Sequence, residues 1–548
     1  MLGRATLSSV AYARARTSIV ASASQDDGSR SSSVSRRNVM VSTGTVGALY
    51  ASALRSMVSL DWAEAATLSQ GSGLASEVER RLRDSTVRFT LSNGLTVIVR
   101  QRRNAPVFSA LTYADVGSFD EESITGVAHM LEHLAFKGSP RQSVDFVKES
   151  QILEEMDDVF EELKECSDPE RKKRLSDRLK ALQLDAQDLA QSNAYGSLLQ
   201  REGAVGLNAA TSHDATKYYV SLPATKLELF FALEAERFQA PVFRDFYSER
   251  MVVLEERKMR VDSSPMGVFQ ETYAAASFGN NYARPVIGYQ EDIERLSRQD
   301  VKSFFRRYYG PEALTITIVG DVDPSKVRQY AEKYFGGWKK SGNGARVAVD
   351  EPLAIPKDTS LPGFLSGSSV AGPVLLRSFY RPSLRSMLDS IALDIADECL
   401  TGGRNSRLEK ALVDSSKALT VSSYSTFPGE KHSTQMLFYA VPTAQSDLQE
   451  VDNIILGELD TMNTQGPTGA ELGRFSKGSQ AVSLRVLQSN ASMASALASY
   501  EKLTGSWENM YKELYVIEDM LPTQIADICS KYLIPTSSFA GYVEKRTV

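Results

Sequence analysis

Residues 129–133 read His-Met-Leu-Glu-His and contain two of only four histidines in a chain of 548 residues. The surrounding stretch, Gly126 to Phe136, has no proline and is rich in Ala, Leu, Met and Glu, so it predicts a helix. On a helix, His129 and His133 project from the same face and can bind one ion. The alternative is a core helix whose two histidines make only structural hydrogen bonds.

The residue types in this pentapeptide suit zinc chemistry. Two neutral imidazoles and a carboxylate are typical ligands of Zn²⁺, with the fourth position left for a water. Zinc acidifies that water and polarises a carbonyl group. Glu132 stands beside the second histidine and could accept the proton from the water. The order H-x-x-E-H is the inverse of the H-E-x-x-H motif.

A candidate third ligand lies in residues 248–260, which read Ser-Glu-Arg-Met-Val-Val-Leu-Glu-Glu-Arg-Lys-Met-Arg. Glu249 and Glu256 are two helical turns apart, so both carboxylates can face the same side of one helix. Acidic residues on a charged helix are usually solvated, and we expect this of Glu255.

The pair of motifs H-x-x-E-H and E-R-x-V-V-x-x-E resembles the pitrilysin/insulinase family of zinc metallopeptidases, which includes the mitochondrial processing peptidases. The resemblance implies that His129, His133 and Glu256 are the zinc ligands. It implies that Glu132 is the general base. Glu249 is then a second catalytic carboxylate, which supports the ligands without binding the metal itself. Its spacing of two helical turns identifies Glu256, and not Glu255, as the ligand.

Residues 208–223 resemble the family's strand beside the metal, which pairs with substrate backbone. An edge strand binds an extended peptide through main-chain hydrogen bonds, with little dependence on sequence. We therefore predict Asn208 and Ala209 as substrate contacts. His213 lies in the same stretch. A lone histidine on a polar strand is more often a surface residue, or one that contacts the ligands without binding the metal. It is left out of the predicted metal set.

The interval between the two motifs is longer than in compact family members, and the extra residues fall within 144–201. This segment is dense in Glu, Lys, Arg, Leu and Gln and has an Asp168-Pro169 break, so it predicts two charged helices that form an arm. Two interpretations stay open: a solvated hairpin with no catalytic role, or a docking element for a partner.

The C-terminal half departs from the family in a second way. Many members carry an Arg and a Tyr there that grip the substrate, in a stretch that aligns with residues 412–420 of this chain. Val413 and Thr420 occupy those two places. The resemblance therefore implies that another chain supplies the missing groups. We predict a hetero-oligomer with a subunit of the same fold that lacks the zinc motif.

The domain organisation follows from breaks in the pattern. We expect a targeting extension over residues 1–72, a catalytic zinc domain over 73–340 with the insertion at 144–201, a linker over 341–372 and a non-catalytic homologous domain over 373–548. The predicted fold class is α+β. By resemblance, each half is a mainly antiparallel sheet flanked by helices, and the two halves form a clamshell.

Composition bounds the class of protein. An apolar fraction of 42% and a charged fraction of 24% are ordinary for a globular chain, and a net charge of −6 argues against nucleic acid as a partner. No apolar run is long enough for a membrane span. The three cysteines show no zinc spacing and cannot form a full disulfide framework.

The N-terminal extension predicts an organelle. Residues 1–25 contain three Arg with several Ser and Ala and no acid, as in transit peptides. Twin arginines at 36–37 precede the moderately apolar stretch 39–54, and residues 63–65 form a small-x-small cleavage site. We therefore expect a chloroplast, with the thylakoid lumen as the finer expectation. A mitochondrion is the alternative, because Arg55 interrupts the second signal.

These observations together predict a zinc-dependent metalloendopeptidase that hydrolyses peptides or extended presequences. The competing hypothesis is a non-catalytic structural subunit of a larger complex, because the same fold also serves in that way. The intact H-x-x-E-H motif favours the peptidase.

Overall fold

The structure is a computed structural model that describes residues 74–190, 194–341 and 373–543. The predicted targeting extension and all but the first residue of the predicted linker lie outside the described residues. The described residues fall into two units, residues 74–81 and the remainder. Both sheets and the candidate site belong to the second of these units. No helix in the described ranges has the length and apolar character to cross a membrane.

The first half contains a six-stranded sheet. Its strands are β1 (Thr86–Thr90), β2 (Thr96–Gln101), β3 (Val107–Ala114), β4 (Val205–Thr211), β5 (Thr216–Pro223) and β6 (Leu314–Gly320). The order is β1-β2-β6-β3-β5-β4, and only the pairing of β2 with β6 is parallel. A turn at Asn93-Gly94 joins β1 to β2, with Gly94 at a φ of +95° that favours glycine.

The first half also contains helices. They are α1 (Leu74–Arg83), α2 (Val127–Leu134), α3 (Phe146–Glu165), α4 (Pro169–Gln187), α5 (Ala194–Arg201), α6 (Leu227–Gln239), α7 (Phe246–Arg257), α8 (Pro265–Ser277), α9 (Gln290–Arg295), α10 (Arg298–Tyr308) and α11 (Pro324–Phe335). The last turn of α7 continues as a π-helical segment, Lys258–Asp262.

The second half contains a four-stranded antiparallel sheet. Its strands are β7 (Val374–Arg381), β8 (Ala418–Phe427), β9 (Thr434–Pro442) and β10 (Ser538–Val543), in the order β10-β7-β9-β8. Its helices are α12 (Met387–Thr401), α13 (Leu448–Gln465), α14 (Gly469–Gln488), α15 (Asn490–Leu503), α16 (Asn509–Asp519) and α17 (Pro522–Tyr532).

The two halves share one topology. The order β6-β3-β5-β4 in the first sheet matches β10-β7-β9-β8 in the second, and all the corresponding pairs are antiparallel. Helix α2 follows β3 as α12 follows β7. The predicted α+β class, with two related halves, is confirmed. Helix α12 contains no histidine, as expected for a non-catalytic counterpart of α2.

Each half has its own apolar core. The alternating residues Leu314, Ile316 and Ile318 of β6 point into the first core, and burial of each such side chain contributes roughly 1.5–3 kcal/mol. The second half covers the opposite face of the first sheet, because α15 packs against β3 and β6. Its buried Ala and Ser residues permit a close approach, and Glu501 there accepts a 2.8 Å bond from Arg88.

The charged insertion folds as helices but is not a freely solvated hairpin. Arg178 and Glu155 pair along its exposed side, as its composition predicted. On the inner side of α3, the buried Asp157 accepts hydrogen bonds from Arg298 at 2.8 Å and from Tyr247 at 3.0 Å. These contacts attach the insertion to α7 and α10. It therefore forms an outer layer of the first domain.

Candidate metal site

The metal helix α2 begins at a tight glycine contact. Gly126 has a φ of +88°, and a Cβ there would lie 2.8 Å from the carbonyl oxygen of Ile287. A Cβ on Gly288 would lie 2.7 Å from the Cα of Gly126. Only glycine fits at these two positions without displacing backbone. The close approach fixes the start of α2 against the segment before α9.

A buried carboxylate caps the same helix. Glu121 accepts hydrogen bonds from the backbone amides of Gly126 at 3.0 Å and Ala128 at 2.8 Å. These satisfy amides that a helix N-terminus leaves without partners. Burial raises the pKa of Glu121 to about 8, although the two amides act to lower it. Sequence reasoning missed this residue, because a carboxylate six residues before the first residue of the helix does not match the usual capping pattern.

The three predicted ligands converge. Nε2 of His129 lies 3.7 Å from Oε2 of Glu256, and Nε2 of His133 lies 3.5 Å from the same oxygen. In a tetrahedral site with bonds of about 2.0–2.1 Å, ligand atoms are roughly 3.4 Å apart. One ligand atom from each residue lies within 4.8 Å of the others. Within the described ranges, no other group of three or more His, Cys, Asp or Glu residues meets in this way.

The charges at the site suit a cation. Burial lowers the pKa of His129 to about 4, so this imidazole is neutral, as a metal ligand must be. For His133, burial also acts to lower the pKa, but hydrogen bonds with Glu249 and Glu256 outweigh it and raise the pKa to about 9. For Glu256, burial acts to raise the pKa, but His133, His129 and Arg260 outweigh it and lower the pKa to about 2. A metal that binds here displaces the proton of His133.

Glu249 orients the second histidine. Its Oε2 lies 3.3 Å from Nδ1 of His133, and its Oε1 accepts a 2.6 Å bond from Nζ of Lys137. A proton on Nδ1 leaves the lone pair of Nε2 free for an ion. Sequence reasoning missed Lys137, because it lies beyond the end of α2, where helical spacing no longer applies.

Glu132 lies beside the ligand group without joining it. Its Oε2 accepts a 2.5 Å hydrogen bond from Oγ1 of Thr211, the last residue of β4. Burial raises the pKa of Glu132, and the Thr211 hydroxyl acts to lower it. The backbone of Thr211 also hydrogen-bonds the carboxylate and acts to lower its pKa. Thr211 was not among the predicted site residues.

The predicted substrate contacts lie on the same strand. β4 is the last strand of its sheet and pairs only with β5 among the described strands. Asn208 is exposed and its Oδ1 accepts a 2.9 Å bond from the amide of Ala209, whose side chain is buried. His213 is also buried and its Nε2 donates to the carbonyl of Arg284 at 2.9 Å. It takes no part in the ligand group.

The equivalent helix of the second half, α12, carries no histidine. The buried Arg381 and Asp394 form an ion pair of 2.7 Å, and Asp394 belongs to α12. Val413 packs partly buried against the second core, and Thr420 is exposed on β8. Neither side chain carries a cation or a phenol.

Two family models match the chain. Insulinase (Peptidase family M16) matches residues 168–290, and Peptidase M16 inactive domain matches residues 295–476, together more than half of the chain. The chain belongs to peptidase family M16. The pitrilysin/insulinase resemblance is confirmed. The first M16 match contains Glu249 and Glu256 and begins after the metal helix.

Relatives of the M16 chain include named zinc proteases. Zinc protease PqqE of Helicobacter pylori is 27% identical over 418 residues, 75% of this chain and 82% of that protein. A probable mitochondrial-processing peptidase subunit beta of Schizosaccharomyces pombe is 27% identical over 270 residues, 48% of each chain. The crystal structure of a protease from Helicobacter pylori has a TM-score of 0.67 at 23% identity, covering 84% of this chain and 99% of that one. This last likeness shows the two-domain M16 fold.

Proposed function

We propose that this chain is a zinc-dependent metalloendopeptidase that hydrolyses unfolded peptides or extended presequences. The observation that carries the proposal is the convergence of His129, His133 and Glu256 on one point, with Glu132 beside them and outside the ligand group. Relatives that are named zinc proteases support the choice of metal. Two imidazoles and one carboxylate also form a typical catalytic zinc set.

Each role in the proposed reaction falls to a residue already described. When bound, zinc supplies an acidified water and a polarised scissile carbonyl. Glu132 takes the proton of that water on its carboxylate, and then passes it to the leaving amine. The free edge of β4 holds the peptide backbone in extended form. Glu249 keeps the ring of His133 oriented throughout.

The proposal includes a second subunit. Val413 and Thr420 leave this chain without the Arg and Tyr that grip substrate in many relatives. One relative is itself named as a subunit. We infer that a partner of the same fold supplies these groups. Size-exclusion chromatography with peptide assays tests this: full activity from a monomer or homodimer contradicts it.

An organellar setting, a chloroplast or alternatively a mitochondrion, is also part of the proposal and rests on the sequence of residues 1–72 alone. Import of the full chain into isolated chloroplasts and mitochondria tests it. If the chain is neither processed nor protected in either organelle, the proposal is contradicted.

A direct experiment separates the peptidase from a structural subunit. The purified chain is assayed for zinc and for cleavage of an unstructured peptide, with and without 1,10-phenanthroline and candidate partners. The peptidase proposal predicts one zinc per chain and cleavage that the chelator stops and added zinc restores. A zinc-free chain that cleaves nothing with any partner supports the structural subunit.

A further inference from the structure

A loop of the second half enters the first half beside the candidate site. It joins β8 to β9 and contains Gly429 to Ser433, and it meets the turn that joins β4 to β5. There, Oδ2 of the buried Asp214 accepts hydrogen bonds from the backbone amides of Glu430 at 2.6 Å and Lys431 at 3.2 Å. A single carboxylate therefore connects the turn to the second half.

The first half holds the same carboxylate from another side. Oδ1 of Asp214 accepts a 2.6 Å bond from the hydroxyl of Tyr282, which in turn accepts from the amide of His432 at 3.1 Å. The ring of His432 stacks on Phe119 at 3.9 Å and 10°. Nearby, Lys431 pairs with Asp115 at 2.8 Å. The loop is thus fixed along most of its length.

The turn itself has little freedom to move. The amides of Ser118 and Phe119 donate to the carbonyls of Ser212 at 3.1 Å and His213 at 2.9 Å. A Cβ at Gly117 would lie 2.2 Å from the carbonyl oxygen of His213, so the two backbones are in direct contact. The position of the turn is therefore set jointly by the segment before α2 and by Asp214.

The turn begins one residue after the partner of the general base. Thr211, whose hydroxyl binds Glu132, is followed directly by Ser212, and Asp214 lies three residues beyond Thr211. A shift of the turn would move the Thr211 hydroxyl and release the Glu132 carboxylate. Small displacements of a catalytic group are costly, because proton transfer depends on its geometry.

We propose that Asp214 is a positioning residue, through which the loop of the second half holds Thr211 and thereby the base Glu132. The proposal rests on the proposed peptidase function. By this proposal, the second half helps to position a catalytic residue of the first half. It also assigns a specific effect to Asp214, a loss of turnover without loss of metal.

The kinetic test is a double-mutant cycle on the full chain, with its partner if one is required. Asp214→Ala should lower kcat roughly 10- to 100-fold, with zinc content unchanged and KM within about 3-fold of wild type. Thr211→Val should act similarly. The double variant should lose no more than the worse single variant, since both act on Glu132 by one route. Losses that multiply independently overturn the proposal.

Two further variants test whether the loss of kcat comes from a general effect on folding. Asp214→Asn keeps one acceptor oxygen for the loop amides and should recover part of kcat. Glu501→Gln removes the charge from a different contact between the halves, the ion pair with Arg88, and should keep wild-type kcat. Equal loss of kcat in Glu501→Gln overturns the proposal, because any weakening of the interface would then suffice.

Hydrogen exchange gives a readout that does not need activity. The amides of Ser118 and Phe119, which donate to the turn, should exchange faster in Asp214→Ala than in wild type and Glu501→Gln. If the wild-type chain cleaves no peptide and these amides still respond, the peptidase proposal fails while the structural link holds. If wild type is active, and Asp214→Ala keeps its kcat and exchange rates, the positioning role is overturned.

Discussion

Oε2 of Glu249 lies 3.3 Å from Nδ1 of His133, while Nε2 of the same ring faces Glu256 at 3.5 Å. The two nitrogens of one imidazole therefore have separate tasks. Nδ1 is held by a carboxylate that Lys137 anchors in turn, and Nε2 is directed to the metal position. Such outer partners fix both the ring and its tautomer.

Glu249→Gln should weaken zinc binding roughly 10- to 100-fold, because the ring of His133 loses its charged anchor. Titration against a competing chelator measures the affinity. Glu255→Gln, on the same helix but exposed, is the matched control and should bind zinc as wild type does. Unchanged affinity in Glu249→Gln contradicts the orienting role.

Glu256→Gln should bind zinc more than about 100-fold more weakly, since a ligand is affected directly and outer partners alone are worth 10- to 100-fold. Metal content after dialysis and peptidase activity should fall together. The exposed Glu255 again provides the control. If Glu255→Gln loses metal and Glu256→Gln keeps it, the assigned register of α7 is wrong by one residue.

The ligand group was predicted from two sources: helix spacing put His129 and His133 on one face, and the family resemblance assigned Glu256. His129 and His133 share a helix face, and Glu249 sets the register of Glu256. Glu121 and Thr211 were not predictable in the same way. They reach the site from loops and a strand whose positions depend on packing between distant segments.

The fold was predictable where local patterns are strong. The turn at Gly94 and the alternating residues of β6 follow from residue type and period. The packing of α15 on the first sheet was not predicted, because a helix rich in Ala and Ser gives no sign of what it covers. Likewise, the charged composition of the insertion did not predict that Asp157 is buried on its inner face.

Asp397 on α12 makes the stability of the folded protein depend on pH. Its Oδ1 is buried and has no hydrogen-bond partner in the described part of the chain. Burial, together with Asp394, raises the pKa of Asp397 from 3.8 to about 7. The folded protein therefore holds this proton more tightly than the unfolded chain, and its stability falls as pH rises between these two values.

Asp397→Asn should remove this part of the pH dependence, because the amide does not ionise. Thermal melts between pH 4 and pH 8 measure the effect, with the largest gain in Tm over wild type at the alkaline end. Asp460→Asn, at an exposed position of α13, is the control and should follow wild type. If the Tm of Asp397→Asn falls with rising pH as steeply as that of wild type, the pH dependence does not come from Asp397.

Arg237 is buried in a ring of aromatic side chains. It pairs with the buried Glu234. Its guanidinium carbon lies 4.4–5.4 Å from four ring centroids, those of Phe136, Tyr195, Tyr218 and Phe238. Cation–π contacts and the ion pair together keep the charge stable away from water.

Arg237→Leu should destabilise the protein by about 3–5 kcal/mol, because it leaves the carboxylate of Glu234 buried and unpaired. Urea unfolding measures the loss. A double variant that also replaces Glu234 by Leu should recover much of it, since no unpaired charge then remains. A double variant that is less stable than Arg237→Leu contradicts this explanation.

The most direct test of the proposed function is Glu132→Gln, assayed for zinc and for peptide hydrolysis in one preparation. The three ligands remain, so zinc content should equal that of wild type. The base is lost, so kcat should fall on the order of 10²- to 10⁴-fold. Near-wild-type turnover by the zinc-loaded variant contradicts the account.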